Sequence, residues 1–273
     1  MQQLLEHPAV QAGLAPFVVA FVVAVLLRLF KLGGLAIAAG FATVVLLTAG
    51  FEFNPLSTTR KIILIGLLAP LVGMVIDFLA KPGRSIEWAM ALACGAITIW
   101  VFIAVLKQKE GAAMWILGGG SALFVAWLSG FSLALRTDPA RAGAMALSLG
   151  LGVGVAAVLG ASASFGQYGI ALAAAAGAFL LVLVLFRTET VAGATLALPA
   201  ALTAGLLAAG TLVLASMPWA SLALLGLVPL AVRLPIPAKA PRWIKTGVLC
   251  VYGLSPATLA CWVAWRAASG AAA

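Results

Sequence analysis

The sequence predicts an all-α protein: a polytopic transmembrane helical bundle of about ten transmembrane helices, N-out/C-out, forming a single integral membrane domain over 1–273. Three observations predict it. Hydrophobic residues make up 64% of the chain and charged residues only 8%, where soluble domains carry about 25% charged residues. Apolar stretches follow one another from Leu14 to Trp265, each near the roughly 20 residues that a spanning helix needs. Lys and Arg fall in ones and twos between these stretches, as short loops between spans require.

Taken in order, charges, Pro/Gly clusters and Trp positions place spans at about 14–30, 33–51, 61–80, 86–106, 113–135, 142–161, 167–186, 192–215, 219–233 and 244–265. The first ends at Arg28 and Lys31, and the second at Glu52, between Phe51 and Phe53. The third carries Gly66 and Pro70 and closes on Asp77, four residues before Lys81, which suits an ion pair at the surface. Glu87 opens the fourth at the positive end of the helix dipole, with Arg84 three residues earlier. In the fifth, Gly118-Gly-Gly-Ser121 predicts a close crossing or a hinge. No Lys-Ser/Thr follows it, so it is not a phosphate loop.

Asp138 before Pro139 reads as the N-cap and first residue of the sixth span. Gly166-Gln167-Tyr168-Gly169 reads as the turn between the sixth and seventh, and Thr188-Glu-Thr190 as the connection to the eighth. The ninth is short and bounded by Pro218 and Pro235, so a re-entrant or kinked segment is the alternative there. The tenth follows the basic stretch Lys239, Arg242 and Lys245 and carries Gly253 and Pro256.

With the N-terminus outside, Arg28, Lys31, Lys81, Arg84, Arg136, Arg141, Arg187, Arg233, Lys239, Arg242 and Lys245 fall on the cytoplasmic side. Arg60, Lys61, Lys107, Lys109 and Arg266 fall on the other. This asymmetry is the basis of the N-out reading. A formal net charge of +9 therefore reads as topogenic charge, and without a basic block nucleic acid is not an expected partner. The N-terminal segment lacks a positive n-region and a convincing cleavage site, so it is expected to remain on the mature protein.

Trp88, Trp115, Trp219, Trp243, Trp262 and Trp265 fall near span ends, where indoles settle at the headgroup level. Trp100 and Trp127 lie deeper, so each is expected to make a structural hydrogen bond. Gly150, Gly152, Gly154, Gly160 and the run from Ala171 to Ala178 predict closely packed helices. Gly150-xxx-Gly154 is read as packing within the chain, with a dimer interface as the alternative.

Groups that announce chemistry are scarce. Cys94, Cys250 and Cys261 all lie in predicted spans and behave as small apolar residues. His7 is the sole histidine, so common His-containing metal sites, bis-His haem and a Ser-His-Asp triad are not expected. No cofactor or metal is expected, and the chain reads as other than an enzyme. Glu52 reads as a loop charge near Arg60 and Lys61.

A faint internal echo supplies the candidate site. Asn54-Pro-Leu-Ser-Thr-Thr-Arg60-Lys61 leads into the helix of Gly66 and Pro70, and Pro237-Ala-Lys-Ala-Pro-Arg242-Trp-Ile-Lys245 leads into that of Gly253 and Pro256. Broken helices in inverted places free carbonyls for a ligand near the midplane; coincidence is the competing explanation. Pro70, Asp77, Ser255 and Pro256 are accordingly the candidate substrate-binding residues.

Length and span count are similar to those of the drug/metabolite transporter superfamily, without a motif of that family, and the N-out reading departs from its cytoplasmic N-terminus. No family is assigned on this ground. The expected function is that of a small secondary transporter or permease in a bacterial-type inner membrane, with the lipid bilayer and a small-molecule substrate as partners. The alternative is a non-catalytic membrane subunit that scaffolds or anchors membrane-protein partners. An intramembrane enzyme acting on lipid-linked substrates, with Lys239, Arg242 and Lys245 holding an anionic headgroup, ranks behind both.

Overall fold

The computed structural model describes residues 7–30, 32–51, 53–79, 83–160, 162–186, 192–215, 217–237 and 239–270. Every element in it is helical. We number the helices α1 Val10–Phe30, α2 Leu35–Thr48, α3 Thr58–Leu79, α4 Arg84–Leu106, α5 Gly111–Leu133, α6 Pro139–Leu159, α7 Ala163–Leu185, α8 Gly193–Leu214, α9 Trp219–Ala231 and α10 Arg242–Gly270. Eight are long and apolar enough to cross a membrane; α2 and α9 are shorter. At 1.5 Å per residue those two reach about 20 Å, against a hydrocarbon core of about 30 Å. The chain is an integral membrane protein built as an all-α bundle.

At the centre stands α8. Every residue from Gly193 to Val213 is buried, because its Ala, Gly, Leu and Thr side chains carry no charge and let neighbours approach from all sides. It packs on α3, α5 and α6, with lesser contacts to α2, α4, α7 and α9. The remaining strong pairs are α1 with α2, α4 with α5, α6 with both α7 and α10, and α7 with both α1 and α2.

The α6–α7 pair resolves the glycine pattern. A Cβ on Gly150 would lie 2.6 Å from the Ala173 amide nitrogen, and one on Gly154 would lie 2.8 Å from that of Ile170. On the opposing helix Gly169 meets the Gly154 backbone at 2.6 Å. Gly150-xxx-Gly154 thus packs within the chain, as expected. Gly152 turns the other way, towards Ala257 of α10.

Several local expectations are met. The Asp138 carboxylate accepts the Ala140 and Arg141 amides, both at 3.1 Å, and caps α6. Glu87 lies in the first turn of α4. The Trp127 indole donates to the Gly226 carbonyl at 2.9 Å. Trp100 is engaged differently, with the Lys61 ammonium 4.7 Å from its ring and bonded to its carbonyl at 3.5 Å.

Others are corrected. Gly166-Gln167-Tyr168-Gly169 lies inside α7, since both glycines are contact points for α6; Tyr168 is buried against Phe41 and meets the Thr48 hydroxyl at 3.5 Å. The chain turns earlier, after Gly160. Of the two readings of Gly118-Gly-Gly-Ser121 the close crossing holds and the hinge does not: helix α5 runs unbroken, with Gly118 against Leu106 and Gly120 against the Trp219 ring. Lys31, Glu52, Lys81, Arg187 and the segment 188–190 lie outside the described residues.

The helices alternate in direction, so the ends of α1, α3, α5, α7 and α9 share one face with the starts of α2, α4, α6, α8 and α10. That face carries Arg28, Arg84, Arg136, Arg141, Arg233, Lys239, Arg242 and Lys245, and is called the basic face below.

Candidate functional site

The contact between α3 and α8 holds the unusual chemistry of the bundle interior. The two helices run antiparallel. Gly73 of α3 abuts Ala194 and Thr195, and Gly66 abuts Thr203 of α8. Pro70, between the two glycines, therefore stands at the height of Pro199, between the two threonines. Neither proline can donate a helical hydrogen bond. Pro70 withholds the N–H that the Gly66 carbonyl would receive, and Pro199 does the same to Thr195.

The sequence suggests broken helices at Pro70 and Pro256, but α3, α8 and α10 run on through Pro70, Pro199 and Pro256, each losing one hydrogen bond. Close to the level of Pro70 and Pro199 lies an unpaired hydroxyl. Thr203 is 1% exposed and its Oγ1 has no hydrogen-bond partner. It sits 3.1 Å from the position of a Cβ on Gly66, where the Phe41 ring of α2 also presses in at 2.6 Å. Leaving such a hydroxyl unpaired in a buried site costs about 1–3 kcal/mol; Ser121, Ser129 and Ser148 share this state, and of the four only Thr203 belongs to the α3–α8 pair.

Two turns closer to the basic face, Asp77 closes the same interface. Its Oδ1 accepts the Ala194 amide at 2.7 Å and its Oδ2 accepts the Thr195 amide at 2.9 Å. A carboxylate on α3 thus caps the first turn of α8, where orphan amides and the helix dipole both favour negative charge. Gly193 makes room for it: its φ is +65°, and a Cβ there would collide with the Asp77 carboxylate. The expected partner Lys81 lies outside the described residues; the backbone of α8 is a partner that the sequence did not reveal. The Gly193 amide itself donates to the Arg136 carbonyl at 3.1 Å, which ties the start of α8 to the α5–α6 link.

That link opens onto a cluster of arginines. Arg136 is buried, its Nη2 is 3.8 Å from Glu87 Oε1, and its Nη1 has no partner. Arg233 donates to the Phe131 carbonyl at 3.0 Å and lies 4.8 Å from that ring; it interacts electrostatically with Glu87 and Arg141. Arg141 pairs with Asp138 at 3.0 Å and donates to the Val232 carbonyl at 3.0 Å. The neighbour of Glu87 is therefore an arginine of the α5–α6 link. Read from the sequence, these arginines are topogenic loop charges, and nothing in their spacing announces the cluster.

Ser255 and Pro256 are placed elsewhere. Helix α10 packs on α6 and α9, and α3 packs on α8, so the four candidate residues occupy two different interfaces. Pro256 removes the donor for the Tyr252 carbonyl, and the Ser255 hydroxyl replaces it at 2.8 Å. The pair lines an apolar groove of about 350 Å³ between α9 and α10, with Leu227 and Leu230. A second groove of about 580 Å³ runs between α5 and α9, lined by Leu123, Trp127, Trp219, Ala223 and Leu227 among others. At the basic face Arg242 borders a recess of about 570 Å³ with Val184, Pro241 and Trp243.

Residues that sequence reasoning missed are Pro199, Thr203 and Arg136. The one available signal was a proline flanked at four residues on either side by Thr195 and Thr203 in an otherwise apolar stretch. No protein-family model matches the chain, and no curated protein is significantly similar to it.

Proposed function

We propose that this protein is a small secondary transporter of a bacterial-type inner membrane, without enzymatic activity, whose pathway opens along the α3–α8 contact. One observation carries the reading: two continuous helices, each with a proline near its middle, stand antiparallel with those prolines level, beside the unpaired Thr203 hydroxyl. Prolines in matching places of two inverted halves point to a transporter site, because each leaves a helix carbonyl free for a polar ligand group.

In a five-plus-five division α3 and α8 are each the third helix of their half. Within the halves α1 packs on α2 as α6 packs on α7, and α4 on α5 as α9 on α10. The halves part company at α10, which packs on α6, and at α5, which packs on α8. Pro70 and Asp77 belong to this site, and Ser255 and Pro256 to the lipid-facing groove beside α9. The substrate is a small molecule with a polar group for the Thr203 hydroxyl and the freed carbonyls.

A transport cycle requires Thr203 to meet water. With Cys94, Cys250 and Cys261 replaced by Ala, a Thr203→Cys variant in native membranes should react slowly with a membrane-impermeant thiol reagent, and Gly205→Cys, on another face of α8, should not. Failure of Thr203→Cys to react after hours would defeat the reading.

The second reading, a non-catalytic subunit that anchors a larger complex, draws on the outer flank of α4 and α5, where Trp88, Leu92, Trp115 and Leu123 are each about 70% exposed. Native mass spectrometry after gentle extraction separates the two. A constant heterologous partner supports the subunit, and a monomer or homo-oligomer supports the transporter.

A further inference from the structure

We propose that an anionic phospholipid of the surrounding bilayer docks beside α9, with its phosphate on Arg233 and an acyl chain in the groove between α5 and α9. The inference stands apart from the transport reading and rests on how an apolar channel meets a cluster of arginines.

The groove wall is continuous with the arginines. Trp127, which lines the groove, packs at a tilt of 37° on Phe131 with ring centroids 4.1 Å apart, and Phe131 in turn carries the Arg233 guanidinium 4.8 Å from its ring and bonded to its carbonyl. An acyl chain following the aromatic wall towards the basic face arrives at a cation. The groove is apolar along its length, so it offers a chain the same environment as the bilayer together with the packing of two indoles.

Charge favours an anion at that end. Arg136, Arg141 and Arg233 face Glu87 and Asp138, which leaves one positive charge among these five groups. A single phosphodiester neutralises it. Arg136, its side chain 8% exposed, adds its charge from within the bundle, and its ion pair with Glu87 is long at 3.8 Å. Arg233 is half-buried at the end of the aromatic wall, and a phosphate is the acceptor that its planar fork fits best. Asp138 is already occupied by the α6 amides and Arg141, so it does not compete for Arg233.

The test uses the full chain, delipidated in detergent, and reads lipid adducts by native mass spectrometry and thermal midpoints. Dioleoyl-phosphatidylglycerol is expected to bind at one site and raise the midpoint, while dioleoyl-phosphatidylcholine and inorganic phosphate are not. Arg233→Gln is expected to weaken the adduct about tenfold. Ala223→Phe, which fills the groove at an exposed position and leaves every charge in place, is expected to weaken it comparably, and it decides the matter if Arg233→Gln does not fold. Equal binding of phosphatidylcholine overturns the phosphate contact. Stabilisation by inorganic phosphate alone, or an unchanged adduct in Ala223→Phe, overturns the docked chain.

Discussion

The α6–α7 and α3–α8 contacts are both antiparallel helix pairs brought close by glycines, and they use that closeness for opposite purposes. Between α6 and α7 the approach is mutual: Gly150 and Gly154 lie against the backbone at Gly166, Gly169 and Ala173. Between α3 and α8 the glycines of α3 make room for polar features of their partner. Gly66 admits the Thr203 hydroxyl and the Phe41 ring, and Gly73 admits the first turn of α8 that Asp77 caps. Two prolines then remove helical bonds at one level. In a bilayer, where lipid is as apolar as leucine, close van der Waals packing is the main adhesive. The first pair uses it fully, and the second holds polar groups in reserve.

The largest effect is expected from breaking the first pair. A Cβ on Gly154 lies 2.8 Å from the Ile170 nitrogen and 3.1 Å from the Gly166 oxygen, so the obstacle is backbone and cannot rotate away. Gly154→Leu should cost about 3 kcal/mol, visible as a lowered thermal midpoint in detergent. Gly119→Leu serves as the control, because a Cβ there meets nothing within 4 Å. Equal midpoints for the two variants would remove the distinction between the pairs.

A smaller effect is expected from loosening the second. Asp77→Ala leaves the Ala194 and Thr195 amides without their acceptors, and loss of a helix cap costs about 0.5–2 kcal/mol. Asp77→Asn retains one carbonyl oxygen and should lose less. Hydrogen exchange supplies the local readout: protection of the Ala194 and Thr195 amides should fall in both variants while the middle of α7 is unchanged. Unaltered protection in Asp77→Ala would show that the cap contributes nothing to holding α8.

What the sequence makes legible follows the same division. Spans, the Asp138 cap and the Gly150–Gly154 face are consequences of local spacing, and a reader of residues can reach them. Partnership across helices is not local. The echo between the segments before Pro70 and Pro256 compares loops, whereas height and facing within the bundle pair Pro70 with Pro199. Thr203 is one hydroxyl in an apolar helix, indistinguishable by spacing from Thr211, which bonds its own Leu207 carbonyl at 2.8 Å. Arg136 likewise resembles any loop cation until packing buries it with one donor idle.

The smallest effect sharpens the comparison by asking whether a deep polar group that is satisfied differs from one that is not. Helix α9 breaks between Gly226 and Val228. There the Leu230 amide, which would serve the Gly226 carbonyl in a regular helix, donates to Leu227 at 3.0 Å instead. The Trp127 indole takes its place at 2.9 Å. Trp127→Phe retains an aromatic ring against Phe131 and deletes only this bond, so the carbonyl at the break is left bare. Interhelical hydrogen bonds of this kind contribute about 0.6 kcal/mol in a membrane protein, and a thermal-midpoint drop of that order is expected relative to Trp115→Phe, whose indole is 75% exposed. Thr203→Val supplies the counterpart: it deletes a hydroxyl that bonds to nothing, and its midpoint should hold or rise. If Trp127→Phe and Thr203→Val shift the midpoint alike, the hydroxyl is bonded in the membrane and the α3–α8 level loses its reserve.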